Sequence, residues 1–461
     1  MASPVAVEVE RSASRSQKGA GFALVLLFAI NLMNFFDRQL IAVVTEPIRK
    51  LWGLSDTQIG ALGTAFILLY AFVGVPLGRL SDRWKRPTLL AAGIGVWSIL
   101  TAASGMAWSF WSLFAARLGV GVGEASCAPA GNSLIGDFFP TARRSFALSV
   151  FMLGLPIGIF CGNYFGGQLA AAYGWRAPFF VACIPGLLLG GLALLIPEPG
   201  RGATETSAGA SRVYRGSPYL RVLLIPTMSW IIISGALFNF NQYAINQFMP
   251  AFLQRYHGLD LKHANITSAF ILGAVGVPGL LLGGWAVDRA RKIRWNGRLL
   301  VSATALLITT PCIYLALNRP PGDLRIFMAL TATGWMLNYV YYSGVYAAVQ
   351  DVVEPSLRGT AMALYFCAMY VFGGALGPLL TGRLSDFFAR RAMHAAGATA
   401  ITEQVRAAGL HSAMYAIPFC ALILVGVLFA ASFTVEKDMR ALQHWMSESG
   451  DAASLPPKSI G

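Results

Sequence analysis

The sequence predicts an all-α polytopic membrane protein with twelve transmembrane helices in two six-helix pseudo-repeats. Three observations lead there. Hydrophobic residues make up 56% of the 461 positions and charged residues only 12%, with a mean hydropathy of +0.59, far outside the range of soluble globular chains. Apolar windows long enough to cross a bilayer, about 20 residues each, follow one another along the chain. Short polar motifs at the ends of these windows recur 206 to 215 residues later in the second half.

The windows fall at 20–44, 57–80, 87–105, 109–134, 144–170, 177–197, 222–249, 263–287, 298–318, 324–350, 358–381 and 411–434. Residues 1–19 form a polar tail with Arg11, Arg15 and Lys18 and no cleavable leader pattern. Residues 198–221, rich in Gly, Ser and Arg, read as a linker between a first bundle at 20–197 and a second at 222–434, with 435–461 as the second tail. With the N-terminus inside, cytoplasmic segments hold 22 of the 35 Lys and Arg residues and external loops 11. Both termini are therefore expected in the cytoplasm. The net charge of +14 is accounted for by this topology and by contact with anionic membrane lipids, not by nucleic acid.

The repeat is read from paired motifs. "GRLSDRWKR" ends the second window and "GGWAVDRARK" the eighth, which puts Asp82 and Asp288 at equivalent points. "DFFPTARRSFALS" before the fifth window is echoed by "DVVEPSLRGTAMA" before the eleventh, so Asp137 precedes Arg144, and Asp351 precedes Arg358, by the same seven residues. Gly158, Gly162, Gly166 and Gly167 in the fifth window are matched by Gly373, Gly377 and Gly382 in the eleventh; close helix packing is favoured for them over a direct bending role. Parallel six-helix repeats are an architecture of secondary transporters with a midplane site.

Away from the window ends, four ionisable residues lie inside the windows: Asp37 and Arg38 in the first, Arg117 and Glu124 in the fourth. Each costs at least ~2.5–3.5 kcal/mol at bilayer depth. Arg117 and Glu124 are seven apart and share a helix face, as do Asn31, Asn34 and Arg38, with Asp37 a quarter turn round. A polar site in which arginines meet an anion while Asp37 or Glu124 exchanges a proton is favoured over an ion-pair network that only locks two helices, because buried pairs stabilise poorly.

The loop pattern Gly78, Asp82, Arg83, Arg86 is that of the major facilitator superfamily, in which it is expected to form a cytoplasmic latch together with Asp288. "NFFDRQLIAVV", "GRLSDRWKR" and "RLGVGVGEASCAPAGNSLIGDFFPTARRS" resemble the spinster family of that superfamily, whose members are linked to export of sphingosine phosphate or lysophospholipids. Cys127 stands where family members often carry an aromatic residue. The resemblance implies a bacterial-type carrier in an inner membrane, with the monomer as the superfamily default. It implies a lysolipid or sphingoid-phosphate substrate, with Asp37 as proton site and Arg38, Arg117 and Glu124 as its network. The Asn-x-x-Asp-Arg pattern of the first helix also occurs in anion:cation symporters, so small organic anions stay open.

The second bundle carries no charge in its windows beyond Arg298, Arg325 and Arg358 at their ends. Asn239, Gln242 and Asn246 share one face at helical spacing and Asn338, Tyr342 and Tyr346 another; hydrogen-bond glue and a binding wall are both open for them. The stretch 382–410, too polar to span, is expected to hold a short amphipathic helix on the outer surface. The six cysteines lack metal-type pairing, the five histidines share no ligand spacing, and no nucleophile–base pair or cofactor motif appears. The expectation is a transporter, not an enzyme, without cofactor and driven by a proton gradient.

Overall fold

The computed structural model describes residues 4–81, 83–200, 217–354 and 357–454, and every regular element among them is helical. Asp82 and the linker residues 201–216 lie outside the described residues. In chain order the first helices are α1 (Pro4–Val43), α2 (Thr45–Trp52), α3 (Asp56–Ser81), α4 (Arg86–Gly105), α5 (Phe110–Glu124), α6 (Cys127–Phe138), α7 (Thr141–Met152), α8 (Gly154–Tyr173) and α9 (Ala177–Ala193). After the linker come α10 (Pro218–Leu223), α11 (Pro226–Arg255), α12 (Leu261–Ser268), α13 (Gly276–Ile293), α14 (Gly297–Leu317), α15 (Leu324–Asn338), α16 (Val340–Val352), α17 (Arg358–Ala368), α18 (Leu376–Ala395), α19 (Glu403–Met414) and α20 (Ala416–Ser454).

Among the described residues, eight helical stretches are long and apolar enough to cross a membrane. The four remaining predicted windows are also helical but depart from a long apolar rod. The fourth breaks at Ala125–Ser126 between α5 and α6, and the tenth at Tyr339 between α15 and α16. Helix α9 has 17 residues, and α11 has its apolar run diluted by Asn239, Asn241, Gln242, Asn246 and Gln247.

Glycine governs where helices approach most closely. A Cβ on Gly158 or Gly162 would press into the α1 backbone at the Leu32 and Phe36 carbonyls, so α8 lies directly on α1. Two π-helical turns, Ala269–Ala274 and Met369–Gly374, interrupt the eighth and eleventh windows. The first packs on α8, where Gly273 meets the Phe160 backbone, and the second carries Gly374 against Ile67 of α3. Both sit where helices from before the linker meet helices from after it. Such turns commonly mark functional positions.

These two groups of helices meet tightly at the end holding the 44–56, 256–260 and 396–415 connections. There the α18 backbone at Pro378 abuts Gly60, the Asp56 carbonyl abuts Gly382, and Asn265 of α12 abuts Gly167 of α8. Toward the opposite end, where α1 begins and α20 finishes, the α3–α18 seam extends to Tyr70, whose ring lies 5.2 Å from that of Tyr370. Beyond it nothing lies within 4 Å of the Cβ positions of Gly74 and Gly78, and Phe72 is 65% exposed. The molecule is closed at one end and parted at the other.

The expected surface helix in 382–410 is corrected. Helix α18 continues to Ala395, only 396–402 is irregular, and α19 packs back along α18 with Gly409 against Ser385 and Ala389. Small residues on both helices permit this antiparallel contact, which buries Leu410, Ala413 and Met414.

Candidate functional site

The four intramembrane charges converge at mid-depth. Glu124 ends α5 and is fully buried; its Oε2 accepts from Arg38 Nε at 2.9 Å and from Asn34 Nδ2 at 3.0 Å. Asn34 and Arg38 are four apart on α1, so one carboxylate oxygen reads one face of that helix. Asn31 turns away to the Phe151 carbonyl. Asp37 faces α4, beside Thr101 and Trp97, and its Oδ1 has no hydrogen-bond partner.

Arg117 is 2% exposed and its Nε and Nη1 donate to nothing, while its guanidinium lies 5.2 Å from the Phe66 ring centroid. Glu124 Oε1 is likewise without a partner. Buried donors and acceptors left open in this way are rare in folded proteins and cost free energy until something fills them. Here they form a set that a ligand bearing acceptors for arginine, or a proton on a carboxylate, can satisfy.

Aromatic rings surround Arg38. Its guanidinium carbon is 4.8 Å from Phe35, 5.1 Å from Phe66 and 4.6 Å from Tyr70, and Nη1 donates to the Tyr243 hydroxyl at 3.2 Å. Tyr243 comes from α11, beyond the linker. Sequence reasoning passed over it because Gln242 beside it defined the polar face; the signal available was its place four residues before Gln247 on the side facing α1.

The second-bundle residues named from sequence are arranged differently from the charged quartet. Asn239 donates to the Met369 carbonyl at 3.1 Å and Asn246 to the Gln242 carbonyl at 2.7 Å. Asn338 donates to Gln242 Oε1 at 3.2 Å, joining α15 to α11. Tyr342 packs edge-on against Phe238 and Tyr346, and Tyr346 in turn against Tyr365 and Phe366. Asn239 and Asn338 tie helices together, Asn246 bonds back within α11, and the half-buried tyrosines form an aromatic wall.

Of the latch residues, Arg86 is buried within the first group of helices. It donates to Asp137, to Glu198 at 2.7 Å, to Ser133 Oγ at 2.9 Å and to the Pro199 carbonyl at 3.0 Å. Arg83 is exposed and Gly78 borders open space. In the second group Arg298 pairs with Asp351 at 2.6 Å and with Asp288 at 3.7 Å. Arg144 donates to the Gly136 and Phe139 carbonyls, and Arg358 makes the same two bonds to Gln350 and Val353. The paired motifs thus repeat in hydrogen bonding as well as in letters.

A second charged cluster, unforeseen from sequence, seals the closed end. Arg255 of α11 donates to Glu46 of α2 at 2.7 Å and to both oxygens of Asp56 at 2.8 Å each. Arg49 joins Glu46 to Glu403 of α19 at 3.0 and 2.7 Å. Asp386 of α18 caps the start of α3 through Asp56 N and Thr57 N, and Ser385 donates to Asp56. Glu46, Arg49, Asp56 and Arg255 are all buried by one another. Among the described residues no group of three His, Cys, Asp or Glu could hold a metal ion.

A helical membrane protein closed at one end, parted at the other and charged at its centre belongs to the class of secondary carriers, and the comparisons agree. The family model for the Major Facilitator Superfamily matches residues 27–378. Protein spinster homolog 3 of Homo sapiens is 31% identical over 392 residues, 80% of this chain and 76% of that one. An MFS-type efflux pump of Mycolicibacterium smegmatis is 29% identical over 384 residues, 83% of this chain and 88% of the other. The crystal structure of a bacterial homologue of the human lysosomal transporter spinster, inward-facing and unoccupied, superposes with a TM-score of 0.82 at 27% identity, covering 91% of this chain and 98% of that one. The chain belongs to the spinster family of the major facilitator superfamily.

Proposed function

We propose that this transporter is a proton-coupled carrier of an amphiphilic anion, such as a lysophospholipid or sphingoid phosphate. The observation that supports it is the set of open groups on Arg117, Asp37 and Glu124 next to Arg38, whose guanidinium is ringed by Phe35, Phe66 and Tyr70. Arginine forks suit a phosphate, and the rings suit an acyl chain or its linker. The carboxylates supply a proton acceptor within reach of the same arginines.

The reading includes twelve spans in two six-helix bundles, at 20–197 and 222–434, and both termini in the cytoplasm of a bacterial inner membrane. On that orientation the parted end is cytoplasmic, and the Arg255 cluster is the outer gate. The molecule acts as a monomer and alternates by rocking one bundle against the other. The latch of Gly78, Asp82, Arg83, Arg86 and Asp288 would close the opposite mouth in the other state.

A second reading, a proton-coupled carrier of small organic anions or drugs, is favoured by the likeness to an efflux pump over 83% of the chain. The two separate by thermal stabilisation of the purified protein with a panel of lysophospholipids, sphingoid phosphates, small carboxylates and drugs. Saturable stabilisation by the single-chain lipids alone supports the first reading. Stabilisation by carboxylates or drugs alone replaces it with the second.

A further inference from the structure

Helix α11 touches the chain of α1 and α2 at three successive heights. Tyr243 accepts from Arg38 at 3.2 Å, Gln247 donates to Thr45 Oγ1 at 3.3 Å, and Arg255 donates to Glu46 at 2.7 Å. Tyr243 and Gln247 are four apart and share a face. Pro250 has no N–H to donate to the Asn246 carbonyl, which loosens α11 beside Gln247, so displacement of the inner part reaches Glu46 through Thr45, the residue before it. The three contacts form a zipper from the buried ion pair to the closed end.

We propose that Tyr243 is the positioning residue that ties the state of the Arg38–Glu124 pair to closure at that end. Arg38 is held from two sides, by Glu124 before the linker and Tyr243 after it. Among the described residues, Tyr243 supplies the one hydrogen bond between the charged quartet and the helices after the linker. When Glu124 is neutralised, or an anion draws the guanidinium away, Arg38 shifts and the innermost contact of the zipper changes with it. This rests on the alternating-access reading but not on the identity of the substrate.

The test is a double-mutant cycle on conformation. Distances across the closed end are measured between spin labels at Leu51 and Gln404 in the full chain, with its six cysteines replaced. Glu124→Gln is expected to change the open-to-closed ratio on the order of tenfold, the scale of one charge-assisted hydrogen bond. In the Tyr243→Phe background the same substitution is expected to change it less than about twofold. A purely structural role for the hydroxyl would shift the baseline and leave the response to Glu124→Gln intact. Equal responses in both backgrounds, or no response in the parent, overturn the proposal. Should Glu124→Gln not fold, Arg38→Lys is the second perturbation, with the same non-additivity expected. Lysophosphatidate and sphingosine phosphate are added in a parallel arm: failure of both to stabilise the protein, beside a non-additive cycle, removes the lipid reading and leaves the role of Tyr243 standing.

Discussion

Arg255 and Asp56 face each other through two parallel hydrogen bonds of 2.8 Å, guanidinium fork to carboxylate, with both side chains 2% exposed. They join the end of α11 to the start of α3 across the seam between the two groups of helices. Breaking a buried pair by removing one partner costs about 3–5 kcal/mol. The cost falls on the closed state alone if opening lets water reach Asp56 and Glu46. Arg255→Gln is therefore expected to shift the population toward opening at that end by a hundredfold or more. Label-to-label distances across the end check this, and an unchanged distribution would make the cluster incidental to gating.

The glycine seam makes a steric prediction. A side chain at Gly60 would collide with the Pro378 carbonyl, whereas one at Gly78 meets open space. Gly60→Val is expected to prevent closure at the sealed end and reduce transport at least tenfold. Gly78→Ala is expected to leave this conformation intact. Distance measurements on the two variants separate a specific clash from general loss of stability.

His257, in the connection after α11, provides a pH prediction outside the membrane-spanning segments. Burial, then the neighbouring His411, pushes its imidazole down to about 4, against an opposing pull from Asp323. It is wedged among Phe252, Tyr256 and Phe327, with both ring nitrogens lacking partners. The depressed value means that the folded state favours the neutral ring. Its contribution to stability is full above the unfolded value near 6.5 and is lost as pH falls toward 4. Thermal stability between pH 7 and 4.5 should fall less in His257→Phe than in the parent.

Arg117 carries the recognition prediction. Arg117→Lys keeps a charge but loses the planar fork, and is expected to weaken binding of a phosphate-bearing ligand at least tenfold while the protein still folds. Titration by thermal shift measures it, and parental affinity for every anionic ligand would place recognition elsewhere.

The charged centre was legible because four ionisable residues inside apolar windows have no ordinary explanation, and Arg38, Asn34 and Glu124 do meet. The cluster at the closed end was not legible. Glu46, Arg49, Asp56 and Arg255 look in sequence like polar flanks of membrane helices, and their partners lie up to 354 positions away. Tyr243 was hidden for a related reason, since a tyrosine among amides gives no hint of a bond to a residue 205 positions earlier. The break at Ala125–Ser126 falls four residues before Pro129, which has no N–H to donate to the Ala125 carbonyl, and follows Gly119, Gly121 and Gly123, a signal the sequence did carry; the break at Tyr339 follows no proline. The packing of α19 on α18 was missed because the small residues that permit it, Gly409 and Ala389, read as surface residues in a polar stretch.

Asp37 carries the central claim, that a buried carboxylate beside the arginines couples substrate movement to protons. The direct measurement is lysophospholipid transport in proteoliposomes with an imposed pH gradient, comparing the parent with Asp37→Asn at matched protein density, and with Glu124→Gln, for which a milder version of the same defect is expected. The parent is expected to accumulate substrate in response to the gradient, and Asp37→Asn to bind and exchange substrate without gradient-driven accumulation. Gradient-driven accumulation by Asp37→Asn equal to that of the parent would contradict the account.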